Sequence, residues 1–328
     1  AVAKNDAPAI KQAMEATTDG EQKAYGAFLL AAIANQEQQY AQEFALLQEG
    51  HALYKGHHTF RYSDTHYLKR LPEMARARQL DHTPSNSNND ALASMQPVFI
   101  VGTPRCGSTL LESMLKSGAP ELIDTEESGV MLHAADLSQC DNSETWLQTY
   151  RERIRAAYRD FGVEAPQCRF SDKTLDHFFV LDLILKVFPQ AKVIWMRRHP
   201  YAVTMSILKN NMIHLPWAHD VNQIFEYIDL QNTLMAHWKD QFGDAILELE
   251  YESLASDPET QAKHVFEFCE LEWNASALNF HKQTTKASKT ASAAQIREGI
   301  NTRAIRAYEP YIAQLDQAQK ASDEQQLS

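Results

Sequence analysis

Cysteine is scarce: only four occur in 328 residues. Cys106, Cys140, Cys168 and Cys269 lie far apart and form no CxxC pair. That argues against a zinc knuckle or a disulfide scaffold and for a reducing compartment. Long apolar runs are absent too, and none approaches the roughly 18 residues of a membrane span. The start, Ala1 to Asp6, has no signal-peptide pattern, so a cytoplasmic location is expected. Positive charge is in deficit, with 31 Lys and Arg against 43 Asp and Glu and a net charge of −12. This balance argues against a general nucleic-acid or membrane-surface binder. A local basic pocket for an anionic ligand remains compatible with it. The 44% hydrophobic and 23% charged residues are ordinary globular values.

Residues 1–80 read as a small α-helical appendage rich in Ala, Gln, Glu and Leu. Apolar positions at Phe28, Leu29, Ala32 and Ile33, then at Tyr40, Phe44, Leu47 and Leu53, recur with helical gaps. They predict two helices separated near residues 35–38. One pair cannot bury both of its faces, so it should pack on its neighbour. Residues 81–96 form the expected linker, since Asp81–Asp90 (DHTPSNSNND) is nearly free of apolar side chains. Residues 97–328 then read as an α/β domain. Val98–Val101 and Lys192–Met196 are short buried strands, and Ala245–Tyr251 is a third. Helices are expected over Glu144–Phe161 with Ser143 as cap, over Asp176–Phe188, from Pro200 to about Lys209, over Pro258–Cys269, and from about Ile305. Strands alternating with helices imply a parallel sheet flanked by helices. The stretch from Lys286 to Arg306 reads as a long loop.

Gly102-Thr103-Pro104-Arg105-Cys106-Gly107-Ser108-Thr109 follows a strand and opens a helix. Its glycine spacing matches loops that cradle phosphates, where backbone N–H groups at a helix N-terminus meet an anion. The nucleoside triphosphatase version needs Lys after the second Gly, and Ser108 stands there instead. Arg105 supplies a cation. The loop is therefore built to hold a phosphate but poorly suited to Mg–ATP chemistry. A second anchor follows the strand Lys192–Met196. Arg198 sits at its C-terminal end, and Ser206 lies under two turns into the helix that Pro200 opens. The plainer alternative is that Arg197 and Arg198 pair with surface acids.

Together these segments resemble the sulfotransferases that use 3′-phosphoadenosine 5′-phosphosulfate (PAPS). PVFIVGTPRCGSTLLESML is similar to their 5′-phosphosulfate loop, and VIWMRRHPYAVTMSILKN to their 3′-phosphate motif. The subgroup it most resembles is the bacterial sulfotransferases carrying tetratricopeptide-like helices; FLLAAIANQEQQYAQEFALLQEGHALYKG looks like one worn unit of these. In the core it is similar to protein-tyrosine sulfotransferases. The resemblance implies a P-loop-like fold and no metal. It assigns the 5′-phosphosulfate to Thr103, Pro104, Arg105, Cys106, Gly107, Ser108 and Thr109, and the 3′-phosphate to Arg198 and Ser206. It places Tyr251 beside the nucleotide, and Ser292, Gln295 and Arg297 in a segment closing over the donor. Cys106, His199 and Tyr201 depart from the family's commoner Ser, Asp or Asn, and Arg.

Sulfuryl transfer needs a base for the acceptor hydroxyl and a cation at the leaving phosphate. By resemblance the base is Glu127, with Glu126 turned to structure or capping. The plainer reading is two solvated acids in a first helical turn. Lys173 is the implied cation, with Asp172 expected to hold it and Asp176 to cap the next helix, and Ser292 adds a hydrogen bond to the same oxygen. The product would be adenosine 3′,5′-bisphosphate. The acceptor carries a hydroxyl and could be a small molecule, a carbohydrate, a lipid or a peptide tyrosine; a homodimer is compatible with the sequence. His57, His58, His66, His177, His214 and His219 match no motif and read as surface or core residues. The tryptophans read as packing, Trp217 excepted, since the irregular stretch Asn210–Asp220 fits an acceptor wall. The competing readings are an atypical P-loop nucleotide kinase and a non-catalytic nucleotide-binding interaction module.

Overall fold

The computed structural model describes residues 3–57, 66–78, 80, 91–134, 137–164, 168–283 and 300–326. The chain divides into two compact units. One comprises residues 70–198 and 231–302; the other comprises residues 1–69, 199–230 and 303–328.

The first of these is built on five parallel strands: β1 (Val98–Gly102), β2 (Ile123–Asp124), β3 (Phe170–Asp172), β4 (Lys192–Arg197) and β5 (Ile246–Glu250). Their spatial order is β2-β3-β1-β4-β5. A parallel sheet flanked by helices is what the alternating pattern predicts. β1 is central and pairs with β4 from Val98↔Lys192 to Gly102↔Met196. Val98, Phe99, Ile100 and Val101 are fully buried, as a strand covered on both faces requires. Phe99 meets the rings of Phe170, Phe188 and His177. The chain leaves β1 for β2 at one edge and later returns to place β4 on the other side. The C-terminal end of β1 is therefore a topological switch point, where open α/β sheets bind ligands.

Helical segments follow the sequence closely. Ser143 caps the helix Glu144–Arg159, its hydroxyl accepting from the Trp146 N–H. The expected helix Asp176–Phe188 is instead a 3-10 turn, Leu175–Val180, running into a short α-helix, Leu181–Val187. Asp176 lies inside that turn, and Thr174 is the residue that precedes it. The last helix starts at Ile312, later than expected, after a turn at Glu309–Tyr311. Among the described residues no helix is long and apolar enough to cross a membrane.

In the other unit, Gly20–Gln36 and Tyr40–His57 form the expected helix pair. The buried face of the first helix differs from the expected one. Leu29 is exposed, while Ala24, Ala27, Ala31 and Ala34 are buried with Leu30 and Ile33. Small side chains let the two helices approach closely, and a Cβ at Gly50 would come within 2.6 Å of the Phe28 ring. The pair is not closed on itself. Tyr311 donates to the buried Glu43 carboxylate, and Lys209 pairs with the same group at 2.9 Å. Residues far beyond position 80 thus complete the burial that the pair lacks. Trp217 is fully buried and stacks on Tyr227 at 3.9 Å, so it is core and cannot serve as an acceptor platform.

A buried imidazole pair joins the helix Tyr40–His57 to the turn Pro216–His219. His51 Nε2 contacts the Leu208 carbonyl at 2.8 Å and its Nδ1 meets His219 Nδ1 at 2.9 Å. A carbonyl only accepts, so Nε2 carries the His51 proton and Nδ1 accepts from His219. Burial pulls the His51 pKa below its ordinary value. The unfolded chain therefore binds more protons below about pH 6.5, and folding stability falls as pH drops through that value. Urea unfolding should give a smaller free energy at pH 5.5 than at pH 7.5. The difference should shrink in His51→Gln.

Candidate active site

The loop after β1 makes the first half of the site. Arg105 has φ of 71° and Gly107 of 101°, both in the left-handed region. Gly107 is required twice over: a Cβ there would be strained, and it would stand 2.4 Å from the Tyr251 ring. The turn delivers the chain into the helix Ser108–Gly118, whose first-turn N–H groups carry the positive end of the helix dipole. Thr103, Arg105, Cys106, Ser108 and Thr109 are all buried.

Arg198 extends from the end of β4 to this loop. Its Nη1 donates to the Arg105 carbonyl at 2.9 Å, and its guanidinium lies 4.5 Å from the centre of the Tyr251 ring. The structure thus brings Arg105, Gly107, Arg198 and Tyr251 together. Burial pulls the pKa of Arg105 down, and the Arg198 charge adds to that; burial does the same to Arg198. A buried and a half-buried guanidinium within electrostatic reach of each other beside a helix N-terminus fit a phosphate-bearing ligand, which relieves both the desolvation and the repulsion. Arg197 takes the plainer role and pairs with Glu248. Ser206 is half-buried in the helix Pro200–Leu208, in the other compact unit. There His199 caps the start of the helix, its Nδ1 accepting from the Tyr201 N–H at 3.2 Å. Ser292, Gln295 and Arg297 lie outside the described residues.

The second half is built on the ends of β2 and β3. Lys173 is almost fully buried, with 2% of its side chain exposed. Its Nζ lies 2.5 Å from Glu127 Oε1. The Glu127 side chain is 56% exposed, so its carboxylate faces both a buried cation and solvent. Glu126 supplies backbone: its φ is 53° and its carbonyl accepts the Lys173 N–H at 2.8 Å.

Asp172 does not hold Lys173, contrary to expectation. β3 ends at Asp172, and Lys173 turns instead to Glu127 and Glu112. The fully buried Asp172 carboxylate accepts instead from Tyr158 Oη at 2.8 Å, from Thr174 N at 2.9 Å and Thr174 Oγ1 at 2.7 Å, and from Ser128. Thr174 Oγ1 also accepts the Gly129 N–H at 2.8 Å. This network clamps the loop that carries Glu127 onto the end of β3. Sequence reasoning missed Ser128, Tyr158 and Thr174 because the clamp joins segments far apart in the chain. It also missed Glu112, a buried acid 3.9 Å from Lys173 Nζ. The available signal was a carboxylate next to Leu111 and close to Met114 and Leu115 on the apolar face of the loop's helix.

Comparison with known proteins places these elements in context. The sulfotransferase family matches residues 97–275, which include both halves of the site. An uncharacterized protein of Aquifex aeolicus (strain VF5) is 28% identical over 243 residues, 67% of this chain and 31% of that protein. The chain thus spans about a third of that relative's length. Protein-tyrosine sulfotransferase 1 of Danio rerio is 24% identical over 276 residues, 76% of this chain and 74% of that protein. Among solved structures, the sulfotransferase domain of the Synechococcus PCC 7002 olefin synthase aligns with a TM-score of 0.51 at 20% identity. It covers 71% of this chain and 91% of that one, a likeness of fold.

Removing the clamp should be costly. Asp172→Ala strands four buried or half-buried donors and is expected to lower stability by about 3 kcal/mol. Urea unfolding measures it; a loss under about 1 kcal/mol would show that the network is dispensable.

Proposed function

The chain belongs to the sulfotransferase family, and from that premise we propose that it transfers a sulfuryl group from PAPS to an acceptor hydroxyl. The observation that carries the reading is the pair of guanidiniums, Arg105 buried and Arg198 half-buried, at the C-terminal ends of β1 and β4. Arg105 and the first turn of the helix Ser108–Gly118 would hold the 5′-phosphosulfate, with Ser108 and Thr109 adding hydroxyl donors. Arg198 would hold the 3′-phosphate and Tyr251 would flank the nucleotide. Ser206 is assigned to the same phosphate, and Ser292, Gln295 and Arg297 to the closing segment, on the motif resemblance alone. When bound, the donor supplies an activated sulfuryl group whose leaving phosphate gains negative charge.

The chain's own groups then divide the work. Glu127 takes the acceptor's proton; its exposure gives a hydroxyl access, and Lys173 keeps its carboxylate oriented. Lys173 supplies positive charge for the leaving phosphate oxygen from a site shielded from water, where a charge acts more strongly. No step requires a metal. The acceptor class is any hydroxyl compound that reaches Glu127, and the zebrafish relative makes a peptide tyrosine the first to test. Against the kinase reading, Ser108 replaces the lysine of Mg–ATP loops, and β4 ends in Arg197 and Arg198 where a metal-binding acid would be needed.

Thermal unfolding separates the readings. Adenosine 3′,5′-bisphosphate at a hundredfold its Kd should stabilise the fold by about 2.7 kcal/mol. ATP–Mg should do much less, and the reverse order would overturn the assignment. Glu127→Ala should abolish transfer from labelled donor while the bisphosphate still binds. Unchanged turnover would move the base elsewhere.

A further inference from the structure

Lys173 faces more than one acid. Glu127 approaches from the loop after β2. Glu112 approaches from the helix Ser108–Gly118, its Oε2 3.9 Å from Lys173 Nζ. The two acids differ in setting: 56% of the Glu127 side chain is exposed, against 7% for Glu112. Glu112 is itself tethered on its far side. Its Oε1 lies 3.5 Å from Lys116 Nζ, and Lys116 is pinned to Asp124 at 2.5 Å. The array runs Asp124, Lys116, Glu112, Lys173, Glu127, from β2 through the phosphate-loop helix to the outer acid. The other titratable groups near Lys173 are Cys106, a neutral buried thiol in the loop, and Asp172, whose carboxylate is committed to the clamp.

We propose that Glu112 is a positioning residue that keeps Lys173 charged and in place when Glu127 takes up the acceptor's proton. The inference rests on the proposed sulfotransferase reading. As the acceptor O–H bond breaks, its proton passes to the Glu127 carboxylate, which becomes a neutral acid. The closest counter-charge of Lys173 disappears at the moment when its own charge is needed at the leaving phosphate. A buried ammonium without a carboxylate partner tends to shed its proton. Glu112 prevents this, because its carboxylate is internal, is fixed by Lys116 and does not exchange protons with the acceptor. Burial raises the Glu112 pKa above its ordinary value, and the charges of Lys173 and then Lys116 offset part of that rise.

The test titrates Lys173 directly, by NMR of the protein carrying 13Cε-labelled lysine, with the signal assigned by Lys173→Arg. Glu127→Gln mimics the protonated base. In that variant Lys173 should remain charged to within about half a pH unit of the parent midpoint. Glu112→Gln combined with Glu127→Gln should lower the midpoint by about one unit or more, beyond the sum of the single changes. Glu112→Asp in place of Glu112→Gln should restore most of the loss, which also covers the case where the Gln variant folds poorly. In turnover, Glu112→Gln should lower kcat and move the alkaline limb of its pH profile downward, with bisphosphate affinity unchanged. A double variant that titrates like the parent would overturn the proposal, as would Glu127→Gln alone giving the full shift. The titration needs no acceptor or donor. A parent that titrates as expected but transfers no sulfuryl group would sink the functional reading and leave the charge relation standing.

Discussion

Positive charge buried at the C-terminal end of β1 is the constraint around which the sheet-bearing unit is organised. In a chain with a net charge of −12, Arg105 and Arg198 are drawn together under a helix N-terminus. Nothing in the folding of a sheet asks for this arrangement, since withdrawing one guanidinium fully and a second partly from water costs free energy. The surroundings absorb that cost through the Arg105 carbonyl and the face of Tyr251. The same ring occupies the space that any side chain at Gly107 would need. A single aromatic residue at the end of β5 thus ties the loop's glycine to the second anchor.

Lys173 shows a second use of the same physics. Its ammonium is shielded from water by burial and faces two carboxylates of different exposure. The outer acid, Glu127, is open to solvent. The inner acid is held by Lys116 and Asp124. The clamp around Asp172 is separate from this array, although Asp172 is adjacent to Lys173 in the chain. One neighbour is committed to the clamp and the other to the ion-pair array.

In the helical unit the sequence periodicity was enough to find two helices and too weak to choose the buried stripe. Leu29 carries more apolar surface than Ala27 or Ala31, yet it is exposed and the alanines are buried. The Phe28 ring lies directly over Gly50, so close approach of the two helices depends on the Cβ that Gly50 lacks. The expectation of Trp217 as an acceptor wall failed for a related reason. An irregular loop can still send its largest ring into the core, here against Tyr227.

Local chemistry was readable from the chain itself. Gly107 and its helix-opening turn, the capping by Ser143, the buried strand Val98–Val101 and the cation after β4 all depend on residues within a few positions of each other. The segments that carry Arg105 and Arg198 were legible for that reason. Tertiary structure alone decided that Asp172 serves Tyr158, Ser128 and Thr174, that Glu112 reaches Lys173, and that residues 199–230 and 303–328 complete the burial of the N-terminal helices. These are pairings across tens to hundreds of residues. They are fixed by which side of a strand or helix faces the interior once the sheet has formed, and no short stretch of sequence carries that information.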